Sequence, residues 1–207
     1  MKQPGAAPSN RRERKKAAMH SNIVDVAMAL FKKLGFHDTS MEHIAEQCDV
    51  AKATLYKYFP VKEAIIAAYW QQEIQKYRAG LDQIIAKYPD TRTRLEMLFT
   101  QYMQRIMEDR ELYDIYLRYR LQHLPDPEVN AKLRSGAEEN ALIIIRAGQQ
   151  SGELRTDMPD RLLAGNLEML SMMQAIIWLH HPEKFSLKSI SKMLTDLFLN
   201  GAMNHEK

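Results

Sequence analysis

Residues 39–62 read TSMEHIAEQCDVAKATLYKYFPVK, and this stretch decides the fold. Thr39 and Ser40 offer hydroxyl caps for a short helix on which Met41, Ile44, Ala45 and Cys48 share one side. Asp49 and Val50 make a tight corner, and Lys52 to Tyr58 then forms a second short helix with Leu55 and Phe59 pointing inward. Pro60 ends it, having no N–H to continue the ladder. Two helices joined by three or four residues and preceded by a packing helix make a helix-turn-helix. The packing helix starts at about Arg11, with Ile23, Ala27, Leu30, Phe31 and Leu34 on one face and Lys32 and Lys33 opposite. Gly35 stops it, as a residue at ease in the left-handed region does.

The second short helix has the chemistry of a DNA reader. Between Asp49 and Glu63 there is no acidic residue, while Lys52, Thr54, Tyr56, Lys57, Tyr58 and Lys62 supply donors over two turns. An α-helix fits the major groove, and flanking hydroxyls and lysines fix its register on phosphates. Ala51 and Ala53 let the backbone approach closely. Lys62 and Glu63 open a long helix whose first amides suit a phosphate. Its apolar stripe, Ile66, Trp70, Ile74, Tyr77, Leu81 and Ile84 or Ile85, runs to about Tyr88, so it links two domains.

Total charge adds nothing to this case. The formal net charge of the 207-residue chain is only +3, and residues 1–20 alone carry six Lys or Arg against Glu13. Everything after residue 20 is net −2, so the basic excess sits in an N-terminal arm, residues 1–17. Pro4, Gly5, Pro8, Ser9 and Asn10 make that arm flexible. Two readings stay open for it: a solvated tail, or an arm touching DNA phosphates or a minor groove. One cysteine, Cys48, excludes an internal disulfide and a cysteine-based zinc cluster, and fits the cytoplasm. The apolar run Met169–Leu179 falls short of the roughly 20 residues a membrane span needs.

Beyond Pro89 five further helices are predicted, over 91–108, 110–123, 127–150, 159–180 and 186–203, punctuated by Pro125 with Pro127, Ser151-Gly152, Pro159 and Pro182. With 45% hydrophobic residues, few Gly and Pro and no strand-like alternation, the chain reads as all-α. Nine of its 13 Met lie in this half, with Tyr102, Tyr113, Tyr116, Tyr119 and Trp178. Met and aromatics at helical spacing make plain core, or a pocket for a small molecule. From Leu162 to Leu179 the only charged residue is Glu168, so that helix needs cover on more than one side. A partner subunit would supply it.

The ordered series Ile23 to Phe31, Gly35-Phe36, Thr39-Ser40-Met41, Ile44-Ala45, Val50 to Tyr56, Tyr58-Phe59 and Lys62-Glu63-Ala64 resembles the N-terminal domain of TetR-family transcriptional regulators over residues 20–68. The resemblance implies a three-helix helix-turn-helix domain at 18–64 and a larger helical effector-binding and dimerisation domain at 65–207. Carried to matching positions, it makes Lys52, Ala53, Thr54 and Tyr56 groove-facing, continues the contacts through Lys57 and Tyr58, and anchors phosphates at Ser40 and Lys62. Asp49 stands where the family prefers Gly, and Ala53 replaces a frequent Gly. The resemblance further implies a repressor on an inverted-repeat operator, a homodimer and a small, largely apolar effector. For the pocket the candidates are Met103, Met107, Tyr113, Tyr116, Met172 and Trp178; for a four-helix dimer bundle, Leu167, Leu170, Leu194, Leu197 and Phe198.

The rival readings are a small enzyme and a helical protein-interaction module without a DNA-binding role. An enzyme would need a constellation. His180-His181 with Glu183 is an exposed or capping helix end more readily than a metal site, and Glu138-Glu139 suits a solvated face. No Gly-rich nucleotide loop, nucleophile elbow or HExxH occurs, so no catalytic residue, cofactor or metal is expected. The intact Lys52 to Lys62 series argues against the interaction module.

Overall fold

The computed structural model describes residues 11–202, and residues 1–10 of the expected arm lie outside them. Among the described residues there are eleven α-helices and no strand. They fall into two compact units that divide inside α4 (Lys62–Arg78), after Tyr69 and not at the start of that helix.

The first unit holds α1 (Arg11–Leu34), α2 (Met41–Gln47), α3 (Lys52–Tyr58) and the beginning of α4. Helix α1 begins at Arg11, where the sequence places its start, so residues 11–17 of the 1–17 arm form its first turns. Its buried face is Ile23, Val24, Ala27, Met28 and Phe31; Leu34, expected inside, is exposed at the helix end. Gly35 adopts φ +91° and donates its N–H to Phe31 O at 2.9 Å, which terminates α1 as a left-handed cap does. Thr39 is buried, its hydroxyl donating to Gly35 O at 2.8 Å. Ser40 is the N-cap of α2 and accepts from His43 N at 3.1 Å. Asp49 takes φ +52°, the left-handed corner between α2 and α3. An aspartate tolerates it better than most residues, though at more strain than glycine. Leu55 and Phe59 are buried and seat α3 on the unit's core.

The second unit contains the rest of α4, then α5 (Leu81–Lys87), α6 (Thr91–Glu108), α7 (Arg110–Gln122), α8 (Pro127–Leu133), α9 (Ala137–Gln150), α10 (Asp160–His180) and α11 (Leu187–Ala202). Here α10 packs on α9 and α11, α6 on α9 and α11, and α7 on α10. Leu95, Leu98, Phe99, Ile144, Ile145, Leu163, Leu167, Leu194 and Phe198 share one apolar core.

Two of the expected helices are each broken in two. The expected run from Lys62 to Tyr88 stops at Arg78 and restarts at Leu81, with Gly80 as N-cap. The expected helix 127–150 is interrupted between Leu133 and Ala137, where Gly136 has φ +91°. Gln71 Nε2 donates to Lys132 O at 2.7 Å and Arg134 O at 3.0 Å, satisfying carbonyls that the shortened α8 leaves open.

By length and composition α10 is apolar enough to cross a membrane. Leu163, Ala164, Leu167, Met172, Ala175 and Trp178 are nevertheless buried within the chain, the usage of a core helix.

Candidate nucleic-acid interface and interior cavity

On α3 the buried Leu55 fixes which side faces out. Lys52, Ala53, Tyr56 and Lys57 are exposed, Tyr56 at 41%, and Thr54 and Tyr58 are half-buried. The helix is two turns long and Ala51 provides no side-chain cap, so its geometry comes from packing on α2 and not from its own propensity.

Two features of this surface escape a linear reading. Lys52 pairs with Glu42 of α2, an acid outside the acid-free segment that the fold brings back beside it. The lysine's hydrogen bond holds the Glu42 carboxyl below its ordinary range. Both side chains are more than half exposed, so the pair contributes little and a phosphate can compete for the ammonium. Lys52 Nζ also lies 5.9 Å from the Tyr56 ring centre. Lys62, expected to anchor a phosphate, instead donates to Phe36 O at 2.6 Å and Thr39 O at 2.7 Å, with His37 O at 3.4 Å. An ammonium has three donors, and here they close the loop between α1 and α2. Ser40 remains exposed, but its Oγ is occupied as a cap acceptor.

Helix α1 adds cations that were assigned to the arm. Arg12, Lys15 and Lys16 share an open groove with Thr54, Lys57 and Tyr58 of α3. Their helical spacing, i, i+3 and i+4, is the signal that would have placed them on one face. Behind the groove His20 packs its ring 4.7 Å from Phe59, and burial, then Lys16, lowers its pKa. Cys48 is buried, which raises its thiol pKa.

The second unit encloses a cavity of about 50 Å³. Of the six residues expected there, Met103, Tyr113 and Met172 line it. Met107 is 49% exposed and points away. Tyr116 is buried in the wall behind, its hydroxyl donating to Leu133 O at 3.0 Å, and Trp178 donates to Phe185 O at 3.2 Å. The apolar lining that sequence reading missed includes Trp70, Ile74, Leu98 and Phe99. Trp70 meets Tyr113 edge-on at 4.8 Å, and Arg105 lies 5.3 Å from the Trp70 ring. Burial raises the Tyr113 phenol pKa, so it remains a neutral hydroxyl.

Polar side chains are also held inside this unit. Arg105 donates to Glu73 Oε2 at 2.6 Å and pairs with Asp109. Arg120 Nη1 is 3.0 Å from Glu168 Oε1, and Arg134 Nη2 donates to Glu168 Oε2 at 3.1 Å. Asn140 Nδ2 donates to Ile74 O at 3.1 Å and to the Tyr102 hydroxyl at 2.7 Å.

The expected dimer residues divide. Leu167, Leu194 and Phe198 are buried in the chain's own core and Leu170 is partly buried against it; Leu197 is 54% exposed. The apolar face left open consists of Leu162, Met169, Met173 and Ile177 on α10 with Met193 and Leu197 on α11. His181 Nδ1 lies 3.7 Å from Glu183 Oε1, and among the described residues no group of three or more His, Cys, Asp or Glu is placed to hold a metal ion.

A short helix with an exposed donor surface, carried on a helix-turn-helix and followed by an all-helical unit, is the arrangement of a DNA-binding transcriptional regulator. Residues 23–69 match the family described as bacterial regulatory proteins, tetR family. It is 21% identical to the fatty acid metabolism regulator protein of Bacillus subtilis (strain 168), over 92% of this chain and 99% of that one. Among solved structures it resembles Thermus thermophilus FadR, a transcriptional repressor in complex with lauroyl-CoA, at TM-score 0.76 and 23% identity over 91% and 97% of the two chains. It also resembles FadR of Bacillus subtilis in complex with stearoyl-CoA, at TM-score 0.62 and 19% identity over 88% and 98%.

Proposed function

We propose that this chain represses transcription by docking two copies of α3, as a homodimer, into an inverted-repeat operator, and that an effector with a long apolar chain, of the acyl-CoA class, releases it. The observation that carries the DNA reading is the exposed set Lys52, Ala53, Tyr56 and Lys57 held rigid by buried Leu55 and Phe59. Thr54 and Tyr58 flank it, and Arg12, Lys15 and Lys16 extend the positive surface along the same groove. A two-fold pair of such heads suits a two-fold operator. Ser40, at the exposed start of α2, is the remaining backbone contact. The protein works in the cytoplasm, with the DNA.

The homodimer reading rests on the exposed apolar residues of α10 and α11, an array more usual at an interface than on a monomer's surface. The effector reading rests on the cavity and on the acyl-CoA bound by two proteins of the same fold. A cavity of about 50 Å³ has room for a few waters only, so an acyl chain must displace adaptable walls. Met103 and Met172, with several rotatable bonds each, supply that adaptability. Trp70 and Ile74 belong to α4, the helix that Lys62 ties to the first unit, so α4 is the element through which a filled cavity can alter the DNA-binding unit.

Selection from random duplexes yields the operator, and titration with lauroyl-CoA then tests the switch. We expect the affinity for the selected duplex to fall about 5–150-fold, the usual span of allosteric coupling. Unchanged affinity at saturating lauroyl-CoA overturns the effector class and leaves the DNA reading intact.

A further inference from the structure

We propose that Arg120 and Glu168 form a polar pole in the cavity wall that selects a neutral oxygen on an otherwise apolar ligand, such as a thioester or ester carbonyl or a hydroxyl, and rejects a carboxylate. The proposal rests on reading the cavity as the effector site. Arg120 is 3% and Glu168 6% exposed, and both line the cavity. Arg120 Nε is buried without a hydrogen-bond partner, while Arg120 Nη1 holds Glu168 Oε1 as an ion pair at 3.0 Å. One N–H donor is therefore unused beside the ion pair. Burying such a donor without a partner is unfavourable, and a ligand oxygen is the natural complement: it accepts from Nε, and a hydroxyl can also share Glu168 Oε1 with Arg120 Nη1.

Charge decides against an acid. The cluster sets Arg120 and Arg134 against Glu168 and Glu138, with Arg134 paired to both carboxylates, so it is balanced before any ligand arrives. A ligand carboxylate would bring an extra anion out of water to face Glu168. Arg120 and Glu168 also line an outer cleft with Asn130, Arg134 and Asn166. The pair thus stands between interior and surface, where a linkage between an apolar chain and a polar head would lie.

The test uses the full chain, decan-1-ol and decanoate as matched probes, calorimetry at about pH 8 where the acid is ionised, and a melting curve for each variant. Wild type should bind the alcohol at least about tenfold more tightly than the acid. Glu168→Gln keeps the shape and removes the opposing charge: decanoate should tighten by about tenfold while the alcohol shifts less than about threefold. Arg120→Lys keeps the charge but removes Nε–H, and should weaken the alcohol by about tenfold. If both probes bind and neither variant alters their ratio, the polar pole is refuted and the cavity stands. If wild type binds neither probe, the effector-site reading falls and the proposal with it.

Discussion

The first unit carries its polar chemistry on its surface and the second holds much of its own inside. In the first, apolar residues fill a small core and the donors of α3 face water, available to a partner larger than the protein. In the second, Arg105, Arg120, Asn140 and Glu168 are buried among apolar side chains, and all but Asn140 line its cavity. Exposed donors read a polyanion cheaply because they are not committed to each other. Most buried ones are committed to partners, and a change there disturbs folding first.

The contrast breaks most readily at Arg105, which donates to Glu73 and pairs with Asp109. Arg105→Met should lower the unfolding free energy by about 3 kcal/mol, because a buried guanidinium is lost from Glu73 and Asp109, Glu73 keeping Lys76. Urea titration followed by circular dichroism measures this; a loss under about 1 kcal/mol would show that water compensates them. Lys62 is the case in which the first unit behaves like the second. Lys62→Met should destabilise the chain by about 1–2 kcal/mol, since three loop carbonyls lose a charged donor. Operator binding by the folded variant should stay close to wild type, and a specific loss of affinity at unchanged stability would restore Lys62 as a phosphate anchor.

Tyr56→Ala is the mirror image: stability within about 0.5 kcal/mol of wild type, but a loss of about 1–3 kcal/mol in operator affinity. Gel-shift titration and thermal melting on one preparation separate the two. The smallest effect expected is at the corner. Asp49→Gly relieves the strain of φ +52° while loosening the unfolded chain, for a net gain of up to about 1 kcal/mol, whereas Asp49→Ala should be neutral or destabilising. His20 adds a pH signature. Its pKa is lowered in the folded state, so the unfolded chain binds the proton more readily and stability falls as pH drops through the ordinary histidine range. His20→Gln should flatten that slope.

The first unit was legible because its signals are local. Gly35, the Ser40 cap, the Asp49 corner, the inward Leu55 and Phe59, and the stop at Pro60 all act within a few residues of where they stand. What the sequence hid there is non-local: Glu42 returning to Lys52, and Lys62 reaching back to Phe36 and Thr39. In the second unit nearly everything that matters is of this kind. The break at Gly136 is fixed partly by Gln71, far away in the chain, and the face of α10 that stays open depends on how α9 and α11 cover the others. Helical spacing found the right elements, but with Leu167, Leu194 and Phe198 it chose the covered face. Of the cavity candidates, Tyr116 and Trp178 are buried away from the lining, their polar tips donating to the carbonyls of Leu133 and Phe185.

The measurement that bears most directly on the central claim is selection from a random duplex pool by the full chain, repeated with Lys52→Ala and Tyr56→Ala. Both positions are exposed on α3, so both variants should melt as wild type does. Wild type should enrich an inverted-repeat sequence, and the enrichment should vanish in both variants. Equal enrichment by wild type and variants would mean that Lys52 to Tyr58 is not the reading surface.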